Sequence, residues 1–247
     1  MLTNQICLQL DCLGLQGMAK TFRQQLEQTT IANLSFEDRF ALLIEAEKTA
    51  RDNKKIDRLL KLSKMRQSNA SLEDIDYRPK RGLEISLISN LAACDWIKRR
   101  QNLILTGATG TGKSWLACAF GKQACRSGFS TLFTTATQLY EQLTCSQADG
   151  SLAKFRRQLI KTKLLIIDDL GIGGIDVQIG PLLLDIVDQQ SQVGSLLITS
   201  QFPTTKWYDL FNDPTVADAI LDRIVHRAHY IELKGESMRK LKSKDIE

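Results

Sequence analysis

The chain has 247 residues, 43% of them hydrophobic, 25% charged and 6% aromatic, and a net charge of +5. This is the composition of an ordinary folded protein of one large or two small domains; no apolar run approaches the roughly 18 to 20 residues of a membrane helix, which excludes the membrane-spanning class along with the disordered and fibrous ones. Six cysteines without a C-x-x-C pair argue against a zinc site or a disulfide framework, and a first stretch broken by Gln9 and Asp11 without a basic start leads us to expect a cytoplasmic protein with reduced thiols and no membrane partner.

Residues 21–66 contain neither proline nor glycine, and Phe36, Phe40, Leu43 and Ile44 recur at helical spacing, followed by Ile56, Leu59 and Leu60. This predicts a small all-helical region, with Ser35 three residues before Asp38 as a weak capping signal. Within it, residues 48–66 hold eight basic and two acidic side chains, leaving the rest of the chain near neutral. Arg51, Lys54, Lys55, Arg58 and Lys61 lie three and four positions apart, so a helix lines them along one face, a stripe suited to a nucleic-acid phosphate backbone in a salt-sensitive, sequence-independent way. A solvated surface helix is the plainer alternative. A polar break at 67–71 and Pro79, which cannot continue a helix, place the expected boundary between a helical domain of 1–70 and a second domain of 71–247.

Beyond the boundary, short apolar runs at 102–106, 130–135, 163–167, 195–199 and 230–233 alternate with helical patterns at 114–126, 152–161, 179–191 and 215–227. Such alternation predicts an α/β fold, a mainly parallel sheet covered by helices on both faces. After the first run stands Gly107-Ala108-Thr109-Gly110-Thr111-Gly112-Lys113-Ser114, a full G-x-x-x-x-G-K-[ST] motif between strand and helix. Glycines let backbone N–H groups converge on phosphate oxygens, and the helix start adds its positive dipole end. Lys113 reaches the β- and γ-phosphates in this reading and Ser114 ligates Mg²⁺. ATP and Mg²⁺ are the implied ligands.

The third apolar run ends in Asp168 and Asp169, two carboxylates costly to leave unpaired beside a core. A metal-bound nucleotide removes that cost: Asp168 suits the role of holding Mg²⁺ through its water shell, and Asp169 that of polarising an attacking water. At the end of the fourth run, Ser200 and Gln201 are candidates to sense the γ-phosphate, although Ser and Thr often just close a strand into a turn. Farther on, Arg223 and Arg227 share one helix face; one of them is a candidate arginine finger for a neighbouring subunit's nucleotide, the alternative being a solvated basic helix end.

The run Asp213-Pro214-Thr215-Val216-Ala217-Asp218-Ala219-Ile220-Leu221-Asp222-Arg223, the tail Ile231-Glu232-Leu233-Lys234-Gly235-Glu236-Ser237-Met238-Arg239-Lys240 and the segment Ser71-Leu72-Glu73-Asp74-Ile75-Asp76-Tyr77 resemble the IstB-type helper ATPases of bacterial insertion sequences, which stand with the helicase loader DnaC and the initiator DnaA in one clade of AAA+ ATPases. The resemblance covers nearly the whole chain. It implies a P-loop AAA+ domain at 71–247 without a C-terminal helical lid, and an N-terminal domain for DNA or partner contact and oligomerisation. It further implies a homo-oligomer that assembles on double-stranded DNA with ATP and cooperates with the transposase of the same element in target capture. By similarity, Lys113 and Ser114 are Walker A contacts, Asp168 and Asp169 the Walker B pair, Ser200 or Gln201 sensor 1, Arg223 the finger and Arg239 a sensor 2 contact to nucleotide. Lys154, Arg156 and Arg157 fall where the DnaA-like clade places DNA-facing helices. The chain departs from broader AAA+ proteins in carrying Asp169 where Glu is usual, which implies slow hydrolysis. Two other readings are a DnaC-like helicase loader in replication and, more distantly, a P-loop small-molecule kinase.

Overall fold

The helical spacing of the N-terminal region becomes three helices in the computed structural model, which describes residues 2–28, 31, 33–78 and 81–238: α1 (Leu2–Cys12), α2 (Gln16–Glu27) and α3 (Phe36–Leu62). The Ser35 signal is a real cap, its Oγ accepting the Asp38 N–H at 3.1 Å. Gly17 lets α2 approach α3 closely, since a Cβ there would meet the Ala46 carbonyl oxygen at 2.5 Å. At that crossing the nearly buried Glu47 carboxylate accepts the N–H groups of Gly17 (2.8 Å) and Met18 (3.3 Å), capping the first turn of α2. Arg51 Nε donates to the same carboxylate at 2.8 Å, and this contact is the main cause holding Glu47 below the ordinary carboxylate range.

The chain divides into two units, Met1–Arg58 and Leu59–Glu247. The division lies earlier than the boundary expected after residue 70, because the intervening residues already pack within the second unit. Ser63 O accepts the Phe133 N–H at 2.8 Å, Met65 packs against the core of that unit, and Ala70 is fully buried in it.

The second unit is built on five parallel strands, β1 (Asn102–Gly107), β2 (Thr131–Thr135), β3 (Leu164–Leu170), β4 (Ser195–Ser200) and β5 (Ala228–Leu233), in the order β2-β3-β4-β1-β5. Around it lie α4 (Ile85–Ala92), α5 (Asp95–Lys98), α6 (Lys113–Arg126), α7 (Ala136–Ala148), α8 (Leu152–Ile160), α9 (Ile179–Val193) and α10 (Pro214–Val225). Strand side chains alternate between two cores: Leu103, Leu105, Leu164 and Ile166 face one with Leu116 and Phe120 of α6, while Ile104, Leu165 and Ile167 face the other with Leu139, Leu159, Ile186 and Ile220. Burial on both faces is why β1, β3 and β4 read as continuous apolar runs, whereas the edge strand β5 alternates between buried and exposed residues. Among the described residues no helix is long and apolar enough to cross a membrane, and the six cysteines form no disulfide.

Candidate functional site

Because β4 lies between β1 and β3, the carboxyl ends of three adjacent strands carry the motif glycines, the residues at the end of β4 and the acidic pair. In open parallel sheets that edge is where ligands bind. The loop following β1 turns sharply at Gly107, whose φ is +144°; a Cβ there would overlap the Leu233 carbonyl oxygen of β5, so only glycine fits. Gly112, at φ +98°, is the N-cap of α6. Lys113, only 5% exposed, folds back over the loop, its Nζ donating to the carbonyls of Gly107 (2.8 Å) and Ala108 (3.0 Å). Thr111 Oγ1 closes the turn onto Ala108 O at 2.8 Å.

The acidic pair sits on a bulge. Ile167 pairs with Ile198 and Leu170 with Ser200, so β3 holds one residue more than β4 and both Asp168 and Asp169 stand opposite Thr199. Asp169 absorbs the irregularity in a left-handed conformation, φ +59°, a strained state of the kind that re-aims side chains at functional sites. Thr199 serves both residues: its Oγ1 donates to Asp168 Oδ1 at 2.6 Å and accepts the Asp169 N–H at 2.9 Å. Asp168 is fully buried and its Oδ2 has no hydrogen-bond partner. Burial pushes its carboxyl above the ordinary range, against the lowering pull of the Thr199 and Ser114 hydroxyls, and the Asp169 charge adds to the rise.

A buried carboxylate oxygen without a donor, beside a serine hydroxyl and a phosphate-type loop, fits a hard cation that takes its remaining ligands from water and phosphate. Among the described residues no group of three or more His, Cys, Asp or Glu could by itself hold a metal ion; the loop motif is one that binds a nucleotide. The space for that nucleotide is a cavity of about 550 Å³ lined by Thr109, Gly110, Gly112, Lys113, Ser114, Asp169 and Gln201, within the size range of small-ligand sites. Its outer wall was not foreseen: Gln67, Asn69, Asp74, Asp76 and Arg81 from the segment before α4, Trp115 beside Ser114, and Met238 beyond β5.

Of the two residues at the end of β4, the structure brings Gln201 and not Ser200 to the cavity. Gln201 Oε1 accepts from Thr109 Oγ1 at 2.8 Å, whereas the buried Ser200 hydroxyl donates to Leu170 O at 2.8 Å, tying β4 to β3. Thr199, one residue earlier, holds the acidic pair; its place in the same strand-end run was the available signal. Arg223 does not line the cavity. It lies on α10, where its Nε donates to Asp188 of α9 at 2.7 Å and its Nη1 to Ala219 O at 2.8 Å. Arg239 lies outside the described residues.

The basic candidates on α3, namely Arg51, Lys54, Lys55, Arg58 and Lys61, are all exposed on one continuous helix. Two of them are engaged: Arg51 pairs with Glu47, and Lys54 Nζ donates to Gln16 Oε1 at 2.8 Å. On α8, Lys154 and Arg157 are exposed, whereas Arg156 pairs with Asp185 of α9 at 2.6 Å and is 26% exposed.

The family of IstB-like ATP binding proteins matches residues 8–245 of the chain. An insertion sequence ATP-binding protein of Sinorhizobium fredii is 40% identical over 240 residues, covering 97% of this chain and 98% of that protein. The IS1162 ATP-binding protein of Pseudomonas fluorescens is 41% identical over 205 residues, 83% of this chain and 89% of the other. Among solved structures, DnaI aligns with a TM-score of 0.58 and 22% identity over 72% of this chain and 93% of its own. At that identity the likeness is one of fold: a P-loop AAA+ domain.

Proposed function

The chain belongs to the family of IstB-like ATP binding proteins, and we propose that it is an ATP-dependent DNA-binding helper of transposition, assembling on duplex target DNA and cooperating with the transposase of its own element in target capture. The observation that carries this reading is the cavity at the ends of β1, β4 and β3, where a complete phosphate loop faces the acidic pair. Insertion-sequence relatives matched over nearly their full length supply the biological setting.

In this reading the N–H groups of residues 107–114 cradle the phosphates, and Lys113 exchanges its contacts with Gly107 O and Ala108 O for the β- and γ-phosphates. Ser114 and Asp168 hold Mg²⁺, which when bound neutralises charge on the phosphates. Asp169 orients and polarises the attacking water, Gln201 reports the γ-phosphate to Thr109 and the loop, and Arg223 acts on the nucleotide of a neighbouring subunit, with Arg239 as a further nucleotide contact. Hydrolysis is slow, because the Asp169 side chain is one methylene shorter than the Glu usual at this place. The exposed cations of α3, with Lys154 and Arg157 as secondary contacts, bind the DNA backbone.

The test is the mass of the purified protein with ATP, with and without a random duplex of about 50 base pairs, at low and moderate salt. Assembly that needs both ATP and duplex supports the helper reading. Assembly on single strands alone would favour a helicase loader instead, and a nucleotide-bound monomer indifferent to DNA a small-molecule kinase. Two further results are expected. Asp169→Asn binds ATP with parental affinity yet hydrolyses it about 100-fold more slowly in the assembled state, by analogy with the loss of other general bases; parental turnover removes Asp169 from the water-positioning role. Replacing Arg51, Lys54, Lys55 and Arg58 together with Ala weakens duplex binding about 10-fold or more and flattens the dependence of affinity on salt, each lost phosphate contact reducing the slope by about 1. Unchanged affinity returns α3 to an ordinary solvated helix.

A further inference from the structure

We infer that Arg81 is a positioning residue for nucleotide binding, holding the Thr111–Gly112 peptide in the one orientation that turns the Gly112 N–H into the phosphate loop. This rests on reading the loop as the nucleotide site.

Arg81 lies far from the motif in sequence, just before α4, yet its guanidinium reaches into the loop. Nη2 donates to the carbonyl of Thr111 at 2.9 Å and Nη1 to the carbonyl of Asp76 at 3.0 Å. Its own backbone is fixed on both sides: its N–H donates to Arg78 O at 2.9 Å, and its carbonyl accepts from Lys234 N at 3.0 Å, on the segment that follows β5. The fork is therefore held before it touches the loop. A Cβ on Gly112 would lie 3.2 Å from Nη2, a measure of how closely the guanidinium lies over this peptide.

The Thr111–Gly112 peptide needs such an anchor. In a trans peptide the carbonyl and the following N–H point in opposite directions, so holding the Thr111 oxygen on Arg81 fixes the Gly112 N–H on the side away from the guanidinium. Gly112 sits at φ +98° and, lacking a Cβ, adopts either sign of φ at little cost, which leaves this peptide able to flip. A flipped peptide would present a carbonyl oxygen to the phosphates in place of a donor. Thr111 itself cannot follow such a flip freely, because its buried side chain is tied to Ala108 O at 2.8 Å. Lysine does not reproduce this arrangement, since the two carbonyls are reached from two different nitrogens of a planar fork, whereas an ammonium offers its donors from a single nitrogen.

The experiment is calorimetric titration of the full chain with Mg·ADP and Mg·ATP, for the parent, Arg81→Ala and Arg81→Lys, together with backbone amide exchange of residues 108–113 and of the core strands without nucleotide. The loop amides cradle the inner phosphates that ADP and ATP share. We therefore expect both variants to weaken ADP and ATP by the same factor, about 10-fold or more, the loss typical of one hydrogen bond from a charged donor. Exchange at 108–113 quickens while β1, β3 and β4 exchange as in the parent. Parental affinity in Arg81→Lys would overturn the inference, because charge alone would then suffice. A loss confined to ATP would overturn it in favour of direct contact with the γ-phosphate, and faster exchange throughout the core strands in favour of a purely structural role. If the parent binds neither nucleotide, the functional reading fails and this inference with it; if the parent binds and Arg81→Ala binds equally well, only the inference fails.

Discussion

Lys113→Ala is expected to lower ATP affinity by about 100-fold or more while leaving the fold intact. The ammonium is almost fully buried and is held over the loop by two carbonyls at 2.8 and 3.0 Å. Its desolvation is thus largely complete before nucleotide arrives, and its two bonds with backbone oxygens can be exchanged for bonds with phosphate oxygens. Hydrogen bonds between charged partners contribute roughly 1.5–3 kcal/mol each, and two of them account for a loss of that size. The loss should be greater for ATP than for ADP, because the lysine reaches the outer phosphates and the loop amides the inner ones. Calorimetric titration with both nucleotides measures this directly; parental ATP affinity in the variant would mean that the loop is not the phosphate site.

The second large effect is one of stability. Thr199→Val keeps the shape of a fully buried side chain but removes the hydroxyl that Asp168 and Asp169 share. A carboxylate oxygen and a backbone N–H lose their partner together, beside an Asp168 Oδ2 that already has none. At roughly 1–3 kcal/mol for each unsatisfied buried group, the second unit loses about 2–5 kcal/mol, a fall of about 5–15 °C in its melting transition. Thr199→Ser, which keeps the hydroxyl, should lose far less. The effect also depends on pH in a definite direction. Burial holds the Asp168 carboxyl above its ordinary value, and the Thr199 hydroxyl partly offsets this, so the variant raises it further. The deficit against the parent is then fully present at pH above the variant's Asp168 value and shrinks as the pH falls through it, where the carboxyl is neutral in both proteins. Melting followed from neutral pH downward tests the sign: a deficit that grows on acidification would exclude Asp168 as the group that Thr199 supports.

How much of this was legible in the sequence followed the range of the interactions. Five apolar runs match the five strands to within a few residues, and for β1, β3 and β4 this is because burial on both faces leaves a contiguous mark. The phosphate loop was legible because all its residues are consecutive. Thr199 was passed over because the bulge that sets it opposite both aspartates is a matter of register between β3 and β4, which no local pattern records. The wall formed by Gln67, Asn69, Asp74, Asp76 and Arg81 belongs to a stretch with no periodicity, joined to the loop only by tertiary contact. For the same reason the charge pattern does not record the pairing of Arg156 with Asp185 on the neighbouring α9. One missed element did have a local sign: α7 begins after Thr135, whose hydroxyl accepts the Gln138 N–H at 3.2 Å, an ordinary threonine cap.

The order of strands also sets a timetable for synthesis. β1, which bears the phosphate loop, is made early, but its neighbours are β4 and β5: Leu103 pairs with Leu197 on one side and His229 on the other. At about 5–20 residues per second on the ribosome, the roughly 90 residues between β1 and β4 leave the loop-bearing strand unpaired for about 5–20 s, and β5 comes later still. During that interval an apolar strand is exposed and its loop lacks Gln201 and Met238, and for most of it Asp169 as well, so ATP cannot steady the nascent chain as it would the finished one. Pairing across such distances along the chain is slow and open to association with other strands. The nucleotide becomes available as a stabilising ligand only after the stage of greatest exposure has passed.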